Sequence, residues 1–230
     1  MAKVAAVVPA AGCGKRMGAG IRKQYLALGG LPILGHTLRV LEASSLVQDI
    51  VLVAGEGEAD YCRRLAVDEL GLKKVTAIVT GGQERQDSVF CGLLALAPDT
   101  EVVLIHDAVR PFLSDDNLKQ VIWAALRYGA ATCAVPVKDT VKLAGEDEFV
   151  SETLPRNRLW LTQTPQAFLY HLILEAHQRA REANYQATDD AALLEKLGRP
   201  VKLVEGSYRN IKITTPEDLI IAAAMLDNGQ

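Results

Sequence analysis

Aromatic residues make up only 5% of the 230 positions, and the chain also lacks a long apolar run, a paired cysteine motif and a basic excess. Each shortage removes a class of function. The opening apolar run, Val4 to Val8, stops at Pro9, far short of the roughly 20 residues a membrane-crossing helix needs and of the apolar stretch of an export signal. A chain that works in the cytoplasm, away from membranes, is therefore expected. Cys13, Cys62, Cys91 and Cys133 form no C-x-x-C pair, so neither a zinc site nor a disulfide framework is indicated. A formal net charge of −3 gives no general field for nucleic acid, and any anionic ligand has to be met by local cations. His36, His106, His171 and His177 show no nucleophile or metal spacing, and no G-x-S-x-G turn is present, so no histidine is assigned a catalytic role.

What remains is rich in Ala, Val and Leu, with 49% apolar residues, which suits a buried sheet covered by helices. Val4 to Val8 reads as a central parallel strand. Pro32 opens a helix with Ile33, Leu34, Leu38 and Leu41 on one face, and Ile50 to Val53 is the next strand. The alternation continues with a helix from Ala59 to Leu70 stopped by Gly71, a strand from Val75 to Val79, a helix from Asp87 to Leu96 and a strand from Val102 to Ile105. Ser114 caps a helix to about Tyr128, and Thr132 to Val135 is a strand. The pattern breaks at about 137–159, where charges, Gly145 and alternating residues predict a projecting β-arm. A helix from about Leu169 to Asn184, a Thr188-capped helix ending at Gly198, strands at Val201 to Val204 and Ile211 to Thr214, and a terminal helix opened by Thr215-Pro216 complete the reading. The expected architecture is α/β, a doubly wound, mostly parallel sheet with helices on both faces, folded as one domain over 1–230.

The chemistry concentrates at strand ends. Pro9-Ala10-Ala11-Gly12-Cys13-Gly14-Lys15-Arg16 follows the first strand, where small residues let backbone N–H groups approach phosphate oxygens while Lys15 and Arg16 add cationic donors. The glycine spacing is neither a dinucleotide fingerprint nor a Walker A loop. Lys23 lies close enough to reach the same triphosphate. Gly81 and Gly82, with Ser88, sit between a strand and a helix, where they can approach a ligand or simply cap the helix. Asp107 follows the strand Val102 to Ile105 and could hold Mg²⁺ directly or through water, or accept bonds from substrate hydroxyls; Arg110 could pair with phosphate or with Asp107 itself.

Pro9 to Gly12 through Arg16-Met17, Lys23-Gln24, His106 to Pro111, Thr164-Pro165-Gln166, Thr188-Asp189-Asp190 and Asn210-Ile211-Lys212 together resemble the 2-C-methyl-D-erythritol 4-phosphate cytidylyltransferase family from end to end. The resemblance implies a nucleotidyltransferase-type, Rossmann-like fold that moves CMP from CTP to a phosphorylated polyol with Mg²⁺. It implies that Ala10 to Gly14, Gly82 and Ser88 bind CTP, beside Pro9, Lys15 and Asp107, and that Arg16 and Lys23 stabilise the transition state. It places Asp107, Arg110, Thr140, Arg156, Thr164 and Lys212 around the acceptor, with Arg156 and Lys212 orienting its phosphate. It also implies a homodimer in which the arm crosses over, so that Thr140, Arg156 and Thr164 serve the neighbouring site. One departure is Arg22, where the family often has proline. The competing readings are a cytidylyltransferase for another polyol phosphate such as ribitol 5-phosphate, a nicotinamide-dependent oxidoreductase, and a nucleotide sensor without catalysis.

Overall fold

The computed structural model describes residues 2–12 and 22–227. Its strands are β1 (Val4–Pro9), β2 (Ala27–Leu28), β3 (Leu31–Pro32), β4 (Asp49–Ala54), β5 (Val75–Thr80), β6 (Val102–Ile105), β7 (Ala130–Pro136), β8 (Lys142–Ala144), β9 (Val150–Thr153), β10 (Trp160–Leu169) and β11 (Lys202–Glu205). The helices are α1 (Ile33–Ala43), α2 (Ala59–Arg63), α3 (Arg85–Leu94), α4 (Asp115–Tyr128), α5 (Tyr170–Glu182), α6 (Asp190–Lys196) and α7 (Pro216–Asp227).

A strand that is apolar on both faces belongs in the middle of a parallel sheet. β1 is there, parallel to β4 on one side and to β6 on the other. Among the described residues the large sheet runs β5-β4-β1-β6-β10-β7-β11, parallel throughout except for β10, which lies antiparallel between β6 and β7. Successive side chains of β1 go to opposite faces. Val4, Ala6 and Val8 pack with Leu34, Leu38 and Leu41 of α1 and Leu118 and Val121 of α4. Ala5 and Val7 pack with Val89 and Leu93 of α3, Ile173 of α5 and Leu194 of α6. Two layers of helices thus cover the sheet, and each fully buried leucine contributes roughly 1.5–3 kcal/mol of transfer free energy. A smaller cluster of Leu28, Ile33, Val109, Ile213 and Ala222 fixes α7 against the end of α1.

Helix ends follow the side chains available to satisfy backbone groups. Ser114 accepts from the Asn117 N–H at 3.2 Å at the start of α4, and Gly129, at φ 89, closes that helix. At α6 the cap is Asp189, accepting from Ala192 N–H at 3.0 Å, rather than the expected Thr188. The α3 helix starts at Arg85 and not Asp87, because Glu84 and Asp87 cap each other's backbone across the first turn. The predicted helix 59–70 begins as α2 and widens into a π turn over Arg64–Glu69 before Gly71, at φ 63.

Two further differences from the expectation concern strands. β10 was not predicted, because Thr162, Gln163, Thr164, Pro165 and Gln166 read as polar and proline-broken; a register shift between Thr162 and Gln166 against β7 accommodates them. Residues 211–214 form no strand, and Ile213 N–H instead donates to Val109 O at 3.0 Å. The arm is present as the antiparallel hairpin β8–β9, exposed along its length. No helix among the described residues is long and apolar enough to cross a membrane.

Candidate active site

Because β1, β4, β5 and β6 are parallel, their carboxyl ends share one edge, and the chain order reverses direction beside β1, the place where open sheets of this kind leave a crevice. A cavity of about 430 Å³ lies there, with Pro9, Ala10, Ala11, Gly12, Lys23, Gly82, Ser88, Asp107 and Lys212 in its wall. Nine residues singled out from the sequence are therefore brought together by three strand ends and the segment before α7. Gly14, Lys15 and Arg16 lie outside the described residues.

The first wall is held by two side chains that take backbone carbonyls. The buried Gln24 amide donates to Ala10 O and to Gly12 O, and the Arg22 guanidinium donates to Ala11 O at 2.7 Å. Glu58 pairs with Arg22 at 2.8 Å and accepts from the Tyr25 hydroxyl at 2.9 Å. Lys23 sits between these two anchors in sequence and lines the cavity.

The second wall is the turn into α3. A Cβ on Gly81 would fall 2.5 Å from Ser88 Oγ and 2.8 Å from the Ala11 side chain, and one on Gly82 would overlap Asp87, so only glycine lets α3 approach β1 this closely. Ser88 is buried, and its hydroxyl donates to Glu84 O at 3.1 Å.

The third wall centres on Asp107, a buried carboxylate facing three cations. Lys212 Nζ stands 2.8 Å from Oδ2, Arg110 Nε 3.5 Å from Oδ2 and Arg85 Nε 3.4 Å from Oδ1. Burial opposes ionisation of this group, but Arg85, Lys212 and Arg110 outweigh it and hold the carboxyl well below the usual range. Arg85 continues to Asp190 at 2.7 Å, where again burial is overcome by the neighbouring cation and the carboxyl stays ionised. The Asp107 backbone N–H donates to Thr164 Oγ1 at 3.0 Å, and Thr164 meets His106 Nδ1 at 3.2 Å. His106 Nε2 lies 3.1 Å from Arg110 O, which can only accept, so the proton is on Nε2 and Thr164 donates to Nδ1. Burial pushes the His106 imidazole down to about 4, leaving it neutral near pH 7.

Several expectations change here. Thr164, expected to serve a neighbouring site, is buried beside Asp107 of its own chain, because β10 inserts next to β6. Arg110 is not part of the cavity wall; its guanidinium is buried between Asp107 and Asn210 O, at 2.6 Å from the latter. Thr140 and Arg156 stand on the exposed arm outside the cavity, Arg156 donating to Lys138 O at 2.8 Å. Arg85 and Asp190 were missed as site residues. Their signal was faint: Arg85 lies inside the Gly81 to Ser88 segment, but its partner is distant in sequence.

Compared with known proteins, residues 4–228 match the sequence profile of the 2-C-methyl-D-erythritol 4-phosphate cytidylyltransferase family. A protein of that name from Pelotomaculum thermopropionicum is 62% identical over 230 residues, covering 100% of this chain and 97% of the relative. The crystal structure of 4-diphosphocytidyl-2C-methyl-D-erythritol synthase from Anaerococcus prevotii superposes with a TM-score of 0.87 at 34% identity, covering 98% of this chain and 96% of the other. The 2-C-methyl-D-erythritol 4-phosphate cytidylyltransferase structure from Thermus thermophilus gives a TM-score of 0.80 at 35% identity, covering 98% and 99%.

Proposed function

The chain belongs to the 2-C-methyl-D-erythritol 4-phosphate cytidylyltransferase family and joins CMP from CTP to 2-C-methyl-D-erythritol 4-phosphate in isoprenoid synthesis, and we propose that the cavity at the β1–β6 edge is where it does so. The observation that carries this placement is the meeting of the small-residue turn after β1, the Gly81-Gly82 entry to α3 and the Asp107–Lys212 pair in one cavity wall.

The acceptor phosphate is already anionic, so its oxygen can attack the α-phosphorus of CTP in line without a general base, and pyrophosphate leaves. The protein's task is then alignment and neutralisation of crowded negative charge. Backbone groups of Ala10 to Gly12 and of Gly82 approach the nucleotide. Lys23 faces the triphosphate as charge moves to the leaving group, the role that the family resemblance also gives to Arg16. Asp107 accepts hydroxyl bonds from the polyol and Lys212 meets its phosphate, while Arg110 and Thr164 hold Asp107.

Both oxygens of Asp107 already face cations, and no cluster of three or more His, Cys, Asp or Glu among the described residues could hold an ion. This donor set does not suit a metal ligated directly by Asp107. It would suit Mg²⁺ held by the nucleotide's own phosphates, which Asp107 would reach through water, and such an ion would supply neutralisation of phosphate charge. Thr140 and Arg156 act from the arm of a second copy, in a cytoplasmic homodimer whose subunits are each one nucleotidyltransferase unit over 1–230.

Pyrophosphate release, followed with each nucleoside triphosphate and a panel of phosphorylated polyols, tests the reading. Turnover confined to CTP with 2-C-methyl-D-erythritol 4-phosphate is expected. Faster turnover with ribitol 5-phosphate would move the assignment to another polyol phosphate, and CTP binding without pyrophosphate release would make the protein a sensor.

A further inference from the structure

Arg85 bridges the carboxylates of Asp107 and Asp190. Its Nε faces Asp107 Oδ1 at 3.4 Å and its Nη1 donates to Asp190 Oδ2 at 2.7 Å. A guanidinium is planar and rigid, so fixing Nη1 fixes the direction in which the Nε–H points. Asp190 is itself fixed from three sides. It opens α6, its backbone N–H donates to Gln166 Oε1 at 3.1 Å, and its Oδ1 lies 3.1 Å from Nε2 of His177 on α5. A carboxylate only accepts, so His177 Nε2 carries the proton in that contact.

The outer end of this chain shows what it is built for. His177 is fully buried, stacks on Phe90 at 6.1 Å between ring centroids, and its Nδ1 has no partner among the described residues. Buried polar atoms are ordinarily bonded, so this ring is oriented for Asp190 at the expense of its own other nitrogen. The inner end opens on the cavity, where Arg85 forms part of the wall.

We propose that Arg85 and Asp190 are positioning residues that set the direction of the Asp107 carboxylate toward the acceptor polyol, with His177 as their outer anchor. The inference rests on the placement of the polyol at Asp107. Loosening the chain lets Asp107 turn toward Lys212 and Arg110, the two cations on its Oδ2 side, which weakens binding of the polyol phosphate and leaves the nucleotide side intact.

The test is steady-state kinetics on Arg85→Lys, Asp190→Asn, His177→Leu and His177→Gln, with both substrates varied and folding checked by thermal melting. Arg85→Lys and Asp190→Asn should raise KM for the polyol phosphate about tenfold while KM for CTP stays within about twofold. His177→Leu should give a smaller rise, and His177→Gln should largely reverse it, because a glutamine amide can replace the Nε2 donor. If Asp190→Asn does not fold, the two His177 variants and Arg85→Lys decide. A fall in kcat and melting temperature with both KM values unchanged would overturn the proposal and leave a purely structural ion pair. An unmodified protein without turnover on CTP and the polyol phosphate would instead sink the placement on which it rests.

Discussion

Arg22 donates to the carbonyl oxygen of Ala11 at 2.7 Å, tying the residue before Lys23 to the turn that follows β1. A proline at this position would stiffen the chain by fixing φ. Here the same job falls to a guanidinium clasped by Glu58 at 2.8 Å, and the clasp holds both sides of the loop at once. Arg22→Ala should therefore raise KM for CTP about three- to tenfold with a smaller change in kcat, read from initial rates. Gly55→Ala should reproduce the effect, since a Cβ there overlaps both the Arg22 guanidinium and the Glu58 carboxylate. An unchanged KM in both variants would show that the loop holds itself.

Lys23 is assigned to charge that develops during the reaction, so its loss should appear in the rate and hardly in the fold. Lys23→Ala should lower kcat by about two orders of magnitude, comparable to removing one preorganised donor, with a melting temperature close to that of the unmodified protein. Near-normal turnover would remove Lys23 from the mechanism.

Asp107 and Asp190 make stability depend on acid. Both carboxyls are held below their ordinary values in the folded chain, against burial, by Arg85 and by Lys212 and Arg110 or His177. A depressed folded pKa contributes stability above the unfolded value of about 3.9, and that contribution is lost as pH falls below it. Denaturant titrations should show stability falling steeply as pH drops below about 5, with a shallower slope for Asp107→Asn in the same window. Equal slopes would show that Asp107 is not ionised against its three cations.

His106 takes up its proton at lower pH than a surface histidine does. Burial pushes it down to about 4, so the neutral form contributes stability that is complete above the unfolded value of about 6.5 and declines as pH falls toward about 4. Imidazole nitrogen NMR should show a neutral Nε2–H ring from pH 7 to pH 5. Thr164→Val removes both the acceptor for the Asp107 N–H and the donor to Nδ1, and should cost about 1–3 kcal/mol, with Thr164→Ser recovering most of it.

Much of this site was legible in the sequence because it is built from strand ends, and strand ends are marked by the switch from apolar runs to small or charged residues. Val4 to Val8 announced β1 and thereby located Ala10 to Gly12; Val102 to Ile105 did the same for Asp107. β10 escaped for the converse reason. Its Gln166 and Thr164 are buried polar residues satisfied by Thr132, Asp189 and Asp107, partners that no local pattern reveals. The same holds for Arg85 and Asp190, 105 positions apart, which meet only because α3 and α6 pack on one face of the sheet. Long-range polar pairing is invisible to periodicity, which records only the alternation of apolar and polar positions along one element.

The arm carries the remaining prediction. Thr140 and Arg156 project on a hairpin with Phe149 74% exposed and Val150 61% exposed, apolar surface that an isolated hairpin does not cover. If the arm reaches a second copy, the site built on one subunit's Lys23 is completed by the other subunit's Arg156. Lys23→Ala and Arg156→Ala homodimers should then each be nearly inactive. A mixed dimer has one site carrying both lesions and one carrying neither, so co-refolding equal amounts should restore about a quarter of the unmodified activity if subunits pair at random. An arm that serves its own chain leaves every site of the mixture with one lesion, and activity would stay at the level of the two parents.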